Sequence, residues 1–285
     1  MPTRLESAAL LIGETFSFDA APMGGGDLSE IWHLRFDTGR EVVVKLGGQA
    51  AAEAAMLRAM GATGAPVPEV LAAQGDLLVL SFIPAVRLSE AGWAALGKTL
   101  AVLHAADQPP RYGWSEDYAF GPLPIANGWT LDWRHFWRDY RLEPCLAFLP
   151  RGIAARVRHI ATTLERFLPQ TPRPSLLHGD LWSGNFLLTR PERSETKAVL
   201  IDPASLIGDA SADFAMLTLF SSPPEIFWLS YGPLPEGYEQ AIDVYRLWPA
   251  LVHYRLFGPA YLGMIESLLD RLEVLEKSTG RRYPA

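Results

Sequence analysis

Leu177-His178-Gly179-Asp180-Leu181-Trp182-Ser183-Gly184-Asn185, followed after a short apolar run by Ile201-Asp202-Pro203, is the stretch that decides the fold. Asp180, in a loop, is placed to accept a proton from a substrate hydroxyl. Asn185, five residues on, offers a carbonyl oxygen to a divalent cation, and Asp202 offers a carboxylate at a strand end. Magnesium takes hard oxygen donors and shares its shell among one or two protein groups, phosphates and water, so Asn185 and Asp202 suffice as ligands. An Asp-x4-Asn loop ahead of a metal-binding Asp is the pattern of kinase-type phosphoryl transfer, in which the protein positions the nucleophile and offsets phosphate charge. Taken singly, Asp180 reads as an Asx-turn or helix cap, Asn185 as a turn residue and Asp202 as a strand-end residue. The order and spacing of all three favour catalysis. His178 and Gly179 then shape the loop, and Ser183 braces it or touches phosphate. Asp213, in Ala212-Asp213-Phe214-Ala215-Met216, reads as a buried helix-start residue that anchors the loop.

Upstream, the first 80 or so residues read as a small β-rich lobe. Ile31 to Phe36 and Glu41 to Leu46 alternate as two strands around the turn Asp37-Thr38-Gly39-Arg40. Lys45 ends the second strand, and Glu53 follows eight residues later in the alanine-rich helix Gln49 to Met60. A strand Lys oriented by a helix Glu is suited to nucleotide α/β-phosphates. Gly24-Gly25-Gly26-Asp27 precedes the strand pair, so the backbone amides of Gly25 and Gly26 are candidates to approach phosphate. Val70 to Ala73 and Asp76 to Ile83 are further strands. Their end, around Leu80 and Phe82, reads as a hinge whose backbone meets adenine. Pro84 sets the boundary between a nucleotide-binding lobe, 1–83, and a catalytic and acceptor-binding lobe, 84–285.

The second lobe reads as mainly helical. Helices are expected at Ser89 to Ala106, Leu131 to Phe148, Gly152 to Leu168, Ala212 to Phe220, Gly237 to Leu256 and Pro259 to Lys277. A long ordered loop is expected from Tyr112 to Trp129, and short strands at Phe186 to Thr189 and Ala198 to Ile201. The chain has 285 residues, 49% hydrophobic and 20% charged, ample for a buried core. Its net charge of −7 and the absence of a basic run argue against nucleic-acid binding. No run of about 18 uncharged apolar residues is present to span a membrane. A single Cys145 and the absence of a signal-peptide pattern fit a cytoplasmic protein. Oligomeric state is not legible.

At these residues the chain resembles the fructosamine kinase (ketosamine-3-kinase) family, a branch of the aminoglycoside phosphotransferase and choline kinase superfamily. The specific pieces are His178-Gly179-Asp180-Leu181-Trp182-Ser183-Gly184-Asn185, Asp202-Pro203-Ala204, and Gly208 with Asp213-Phe214-Ala215-Met216. Glu53-Ala54 with Leu57, Tyr112-Gly113, Asn127-Gly128-Trp129, Asp132-Trp133 and Arg141-Leu142 are also similar. The resemblance implies an α+β, bilobal protein-kinase-like fold, ATP and Mg2+, and phosphorylation of a sugar hydroxyl on a small-molecule or protein-bound ketoamine. On that reading Trp182 lines the acceptor pocket. The chain departs from the family at Ile125, at Leu206 and Ile207, and at Ser81. The first two departures fall where the acceptor site is expected, so an aminoglycoside, a choline-like or other amino alcohol, or a sugar stays open as acceptor. A nucleotide-binding pseudokinase is disfavoured by the intact Lys45, Glu53, Asp180, Asn185 and Asp202.

Overall fold

The computed structural model describes residues 3–24, 30–191 and 194–280. The N-terminal part is built on one antiparallel sheet. Helix α1 (Arg4–Leu11) is followed by β1 (Phe18–Pro22), β2 (Glu30–Phe36), β3 (Glu41–Leu46), α2 (Ala50–Ala62), β4 (Val70–Gln74) and β5 (Leu77–Ser81). The strands lie in the order β1-β2-β3-β5-β4. The β-branched run Val42-Val43-Val44 suits the central strand, where side chains alternate between two covered faces. Val42 and Val44 pack with Leu34, Phe36, Val79 and the two alanines Ala8 and Ala9 of α1. On the other face Ala50, Ala54 and Leu57 of α2 pack on Leu78 and Leu80, with Val43 against them. Lys45 shares the parity of Val43, so its side chain emerges on the face that α2 covers. Short alanine side chains let α2 lie close to the sheet while keeping high helix propensity.

The remainder is mainly helical. It contains α3 (Glu90–Ala105), the hairpin β6 (Tyr118–Phe120) and β7 (Leu123–Ile125), α4 (Trp133–Trp137), α5 (Arg151–Thr162) and four short strands. These are β8 (Ser175–Leu177), β9 (Phe186–Thr189), β10 (Lys197–Leu200) and β11 (Leu206–Gly208). Helices α6 (Ser211–Phe220), α7 (Glu225–Tyr231), α8 (Tyr238–Phe257) and α9 (Leu262–Gly280) complete it. The Ser89 hydroxyl caps α3, accepting the Gly92 N–H at 3.2 Å. One core surrounds Trp133, Phe136, Tyr245 and Leu251. A second joins α3, α6 and α7 to Phe186, Leu188 and Leu200 of the strands.

Four expectations change. The segment from Tyr112 to Trp129 is not all loop, since β6 and β7 pair within it. The single helix expected over Leu131 to Phe148 is α4, then a π-helical turn at Arg138–Leu142, then a 3-10 stretch at Glu143–Phe148. Pro144 supplies no N–H, so an α-helical ladder cannot run through it. Helix α5 stops at Thr162, short of the expected Leu168, and the last helix begins at Leu262 after a 3-10 turn at Pro259–Tyr261. Elements α1, β1, β8, β11 and α7 had no counterpart in the sequence reading.

Two antiparallel pairs frame the decisive stretch. β8 pairs with β11 and β9 with β10, so residues 178–185 connect one pair to the other and residues 201–205 lie beside them. Helix α2 and the segment that follows it reach across to this frame. The Leu200 N–H donates to the Pro66 carbonyl at 2.9 Å, and the Ser205 N–H donates to Met56 Sδ at 3.3 Å.

Candidate active site

The loop at residues 178–185 is moored from below by Asp213 in the first turn of α6. Its carboxylate accepts the backbone N–H of His178 at 2.7 Å and of Gly179 at 2.9 Å, and takes His104 Nε2 at 3.0 Å. Burial pushes this carboxyl up, but the His104 bond and the neighbouring donors outweigh it and hold Asp213 below the ordinary carboxylate range. His178 Nε2–H donates to the Ile201 carbonyl at 2.8 Å, and its Nδ1 accepts the Asp180 N–H at 3.3 Å. These two bonds define one neutral tautomer, and burial holds the imidazole below its usual pKa. His178 thus acts as a strut between the loop and the strand before Asp202. Gly179 has φ +82°, and a Cβ there would stand 2.0 Å from the Ala204 carbonyl oxygen, so only glycine fits.

Asn185 then fixes Asp180. Both amide hydrogens of Asn185 are committed, to the Asp180 carbonyl at 2.8 Å and to Asp180 Oδ2 at 2.9 Å. The amide oxygen is left pointing elsewhere, with no hydrogen-bond partner among the described residues. Burial pushes the Asp180 carboxyl up to about 7, aided by the charges of Asp202 and Asp213 and opposed by the Asn185 bond. A carboxylate near neutrality is well matched to general-base work.

Asp202 adopts φ +53°, the only positive value at a non-glycine among the described residues. Strain of this kind persists where the surroundings over-determine a residue, commonly at functional sites. Its Oδ1 accepts from Lys45 Nζ at 2.8 Å, and the same ammonium donates to Glu53 Oε1 at 2.6 Å. Burial pulls the Lys45 pKa down, but Glu53 and Asp202 together hold it above the usual value, so the ammonium stays charged. The strand, the helix and the loop after β10 are thus joined at one cation.

These groups open on a cleft of ≈ 630 Å³. Lys45, Glu53, Asp180, Trp182, Ser183, Asn185 and Asp202 all line it. Trp182 is 42% exposed, with its ring lying over Gly184, where a Cβ would come within 2.3 Å of the indole. Ser183 is exposed, and among the described residues its hydroxyl has no partner. Leu80 is buried in β5, and Phe82 stacks on His33 at 4.1 Å; neither belongs to the cleft lining. Gly25 and Gly26 lie outside the described residues. Ile125, Leu206 and Ile207, where the chain departs from the family pattern, are core residues and do not line the cleft. Their replacement is therefore a matter of packing.

The sequence reading missed several lining residues. Gly47 and Gly48, at φ +96° and +74°, form the wall between Lys45 and α2. Their adjacency to Lys45 was a readable signal. Tyr118 of β6 faces Glu53, Asp202 and Asp180; burial first, then these carboxylates, push its hydroxyl well above the ordinary range, so it stays a neutral donor. Phe220, His253 and Phe257 also line the cleft, and no local pattern marked them.

Chemically, the cleft presents a fixed carboxylate of raised proton affinity, a charged lysine, and two hard-oxygen groups, the Asn185 amide oxygen and the Asp202 carboxylate, whose Oδ1 already accepts from Lys45. Among the described residues no group of three or more His, Cys, Asp or Glu could hold a metal alone. The pair Asn185 and Asp202 fits magnesium, which completes its shell with phosphate and water. No described helix is long and apolar enough to cross a membrane.

Comparison with known proteins agrees with this geometry. Residues 7–276 match the fructosamine kinase family. A probable ketoamine kinase of Escherichia coli strain K12 is 33% identical over 291 residues, covering 95% of this chain and 97% of that protein. A crystal structure from Thermobifida fusca, assigned as a fructosamine-3-kinase, superposes with TM-score 0.84 at 27% identity, covering 94% and 97% of the two chains. A choline kinase of Cryptosporidium parvum shares the fold alone, with TM-score 0.59 at 14% identity over 92% and 89%.

Proposed function

The chain belongs to the fructosamine kinase family, and on that premise we propose that it transfers the γ-phosphoryl group of ATP to a sugar hydroxyl of a ketosamine. The acceptor is a fructosamine or ribulosamine, free or protein-bound. The observation that carries this reading is the constellation around one cleft: Asp180 held by Asn185, beside Asp202 tied to the Lys45–Glu53 pair.

The acceptor oxygen attacks the γ-phosphorus while the bond to the ADP oxygen breaks, and the hydroxyl proton passes to Asp180. Asn185 keeps that carboxylate aimed, and Asp213 keeps the loop carrying it in place. Lys45, oriented by Glu53, meets the α/β-phosphates. Asn185 Oδ1 and the Asp202 carboxylate would hold magnesium, which would supply neutralisation of phosphate charge. Trp182 offers a flat face to the sugar. The buried, lone Cys145 suits a reducing cytoplasm.

The test is ATP consumption with magnesium on deoxyfructosyl-lysine and ribulosyl-lysine, with Asp180→Asn as the blank. Acceptor-dependent turnover that vanishes in the blank supports the assignment. Turnover on aminoglycosides or amino alcohols, and none on ketoamines, refutes the acceptor class.

A further inference from the structure

One wall of the cleft plays no part in the chemistry above. It is supplied by the C-terminal end of α6, the last turns of α8 and the Pro259–Tyr261 turn, and it is aromatic: Phe220, His253, Phe257 and Tyr261. The His253 ring centroid lies 4.6 Å from that of Phe220, 5.6 Å from Phe257 and 5.1 Å from Tyr261. Phe220 and Phe257 remain 38% and 52% exposed. All the charged residues that line the cleft, Lys45, Glu53, Asp180 and Asp202, come from other elements. An aromatic wall inside a cleft gains free energy when an apolar ligand covers it, at roughly 25 cal/mol per Å² of apolar area.

Besides the Tyr261 hydroxyl, the polar side-chain group of this wall is the His253 imidazole. His253 donates Nδ1–H to the Pro249 carbonyl at 2.8 Å, which leaves the lone pair on Nε2, and among the described residues Nε2 has no partner. Burial holds this imidazole below its usual pKa, so it remains neutral. A neutral nitrogen acceptor set in an aromatic surface suits an N–H donor attached to an apolar group.

A ketosamine has this shape. Its sugar must reach Asp180, and its linking secondary amine, protonated at neutral pH, carries the amine substituent away from the reacting hydroxyl. We propose that Phe220, His253, Phe257 and Tyr261 form the subsite for that substituent, selecting ketosamines of apolar and above all aromatic amines, with His253 Nε2 accepting a hydrogen bond from the linking ammonium. Adducts of small amino acids bring a carboxylate to a wall that carries no cation, and are disfavoured. The inference rests on the ketosamine reading above.

The experiment compares kcat/KM for two adducts differing only in the amine, fructosyl-benzylamine and fructosyl-glycine. The wild type is set against Phe220→Ala/Phe257→Ala and against His253→Phe, which keeps the ring and removes the acceptor. KM for ATP and the melting temperature report on folding. The wild type is expected to prefer the benzylamine adduct by about tenfold or more. The double variant should bring the two adducts near parity, whereas His253→Phe should lower both by a similar factor of about ten. Equal efficiency in the wild type, or a preference that survives the double substitution, overturns the subsite. Unchanged turnover in His253→Phe overturns the role of Nε2. Turnover of neither adduct by the wild type refutes the ketosamine reading itself, and the subsite with it.

Discussion

Replacing Asp180 by Asn should inactivate the enzyme and at the same time stabilise its fold. Asp180 sits on the cleft floor with its carboxyl pushed from the ordinary 3.8 to about 7, first by burial and then by Asp202 and Asp213. A raised folded-state pKa means that the native state binds this proton more tightly than the unfolded chain does. Its stabilising contribution is fully present below about pH 4 and is lost as pH rises through about 7. At neutral pH and above, the ionised carboxylate is therefore a destabilising group. About three pKa units at roughly 1.4 kcal/mol each set a ceiling near 4 kcal/mol. Asp180 is partly accessible to water from the cleft, so a gain of about 1–3 kcal/mol is the realistic expectation. The Asn side chain still offers an oxygen to Asn185 Nδ2, so the local bond survives. Urea unfolding of both proteins across the range from about pH 4 to about pH 8 should show curves that coincide in acid and separate in favour of the variant as pH rises. Turnover should fall by about a thousandfold or more. Equal stability at pH 8, or a difference independent of pH, would refute the raised pKa; retained turnover would refute the base.

Three further outcomes follow from the same geometry. In the wild type, kcat/KM for the acceptor should decline below about pH 7 as Asp180 takes up its proton, and a profile flat to pH 5 would contradict this. Lys45→Met should leave Glu53, only 7% exposed, as an unpaired buried charge, costing about 3–5 kcal/mol in denaturant unfolding. Adding Glu53→Leu should recover most of that loss, and strictly additive losses in the double-mutant cycle would show that the pair is not coupled. Gly179→Ala forces φ +82° on a residue with a Cβ and drives that atom to 2.0 Å from the Ala204 carbonyl. It should cost about 2–4 kcal/mol and abolish turnover, so a variant with wild-type melting temperature and kcat would disprove the close approach.

The polar residues that meet at the cleft are readable because their pattern is local. Asp180, Asn185 and Asp202 carry information in their order and spacing. Lys45 and Glu53 were readable from the alternation of Glu41–Leu46 and the alanine-rich pattern of α2, which place one on a strand and the other on the following helix. The same periodicities made β2, β3, α2, α3 and α8 legible. The strands β8 and β11, three residues each, are too short to show a period, and they exist because they pair with one another across about thirty residues of chain. Hairpin β6–β7 hid in a segment rich in Gly, Pro and aromatics. Its neighbourhood is held by Arg141, which reaches the Ala126 carbonyl at 2.7 Å and Asn127 Oδ1 at 2.6 Å from a π-helical turn that no pattern announced.

Sequence by itself therefore determined the reaction class, the fold class and which residues, Lys45, Glu53, Asp180, Asn185 and Asp202, meet at the cleft. Tertiary structure alone decided that Lys45 binds Glu53 and Asp202 at once, that Ile125 and Leu206 are packing residues, and that Phe220, His253, Phe257 and Tyr261 face the same cleft as Asp180. The physical reason is that periodicity reports which face of an element is buried. Which elements then bury those faces against each other is settled by non-local packing, and no window along the chain contains it.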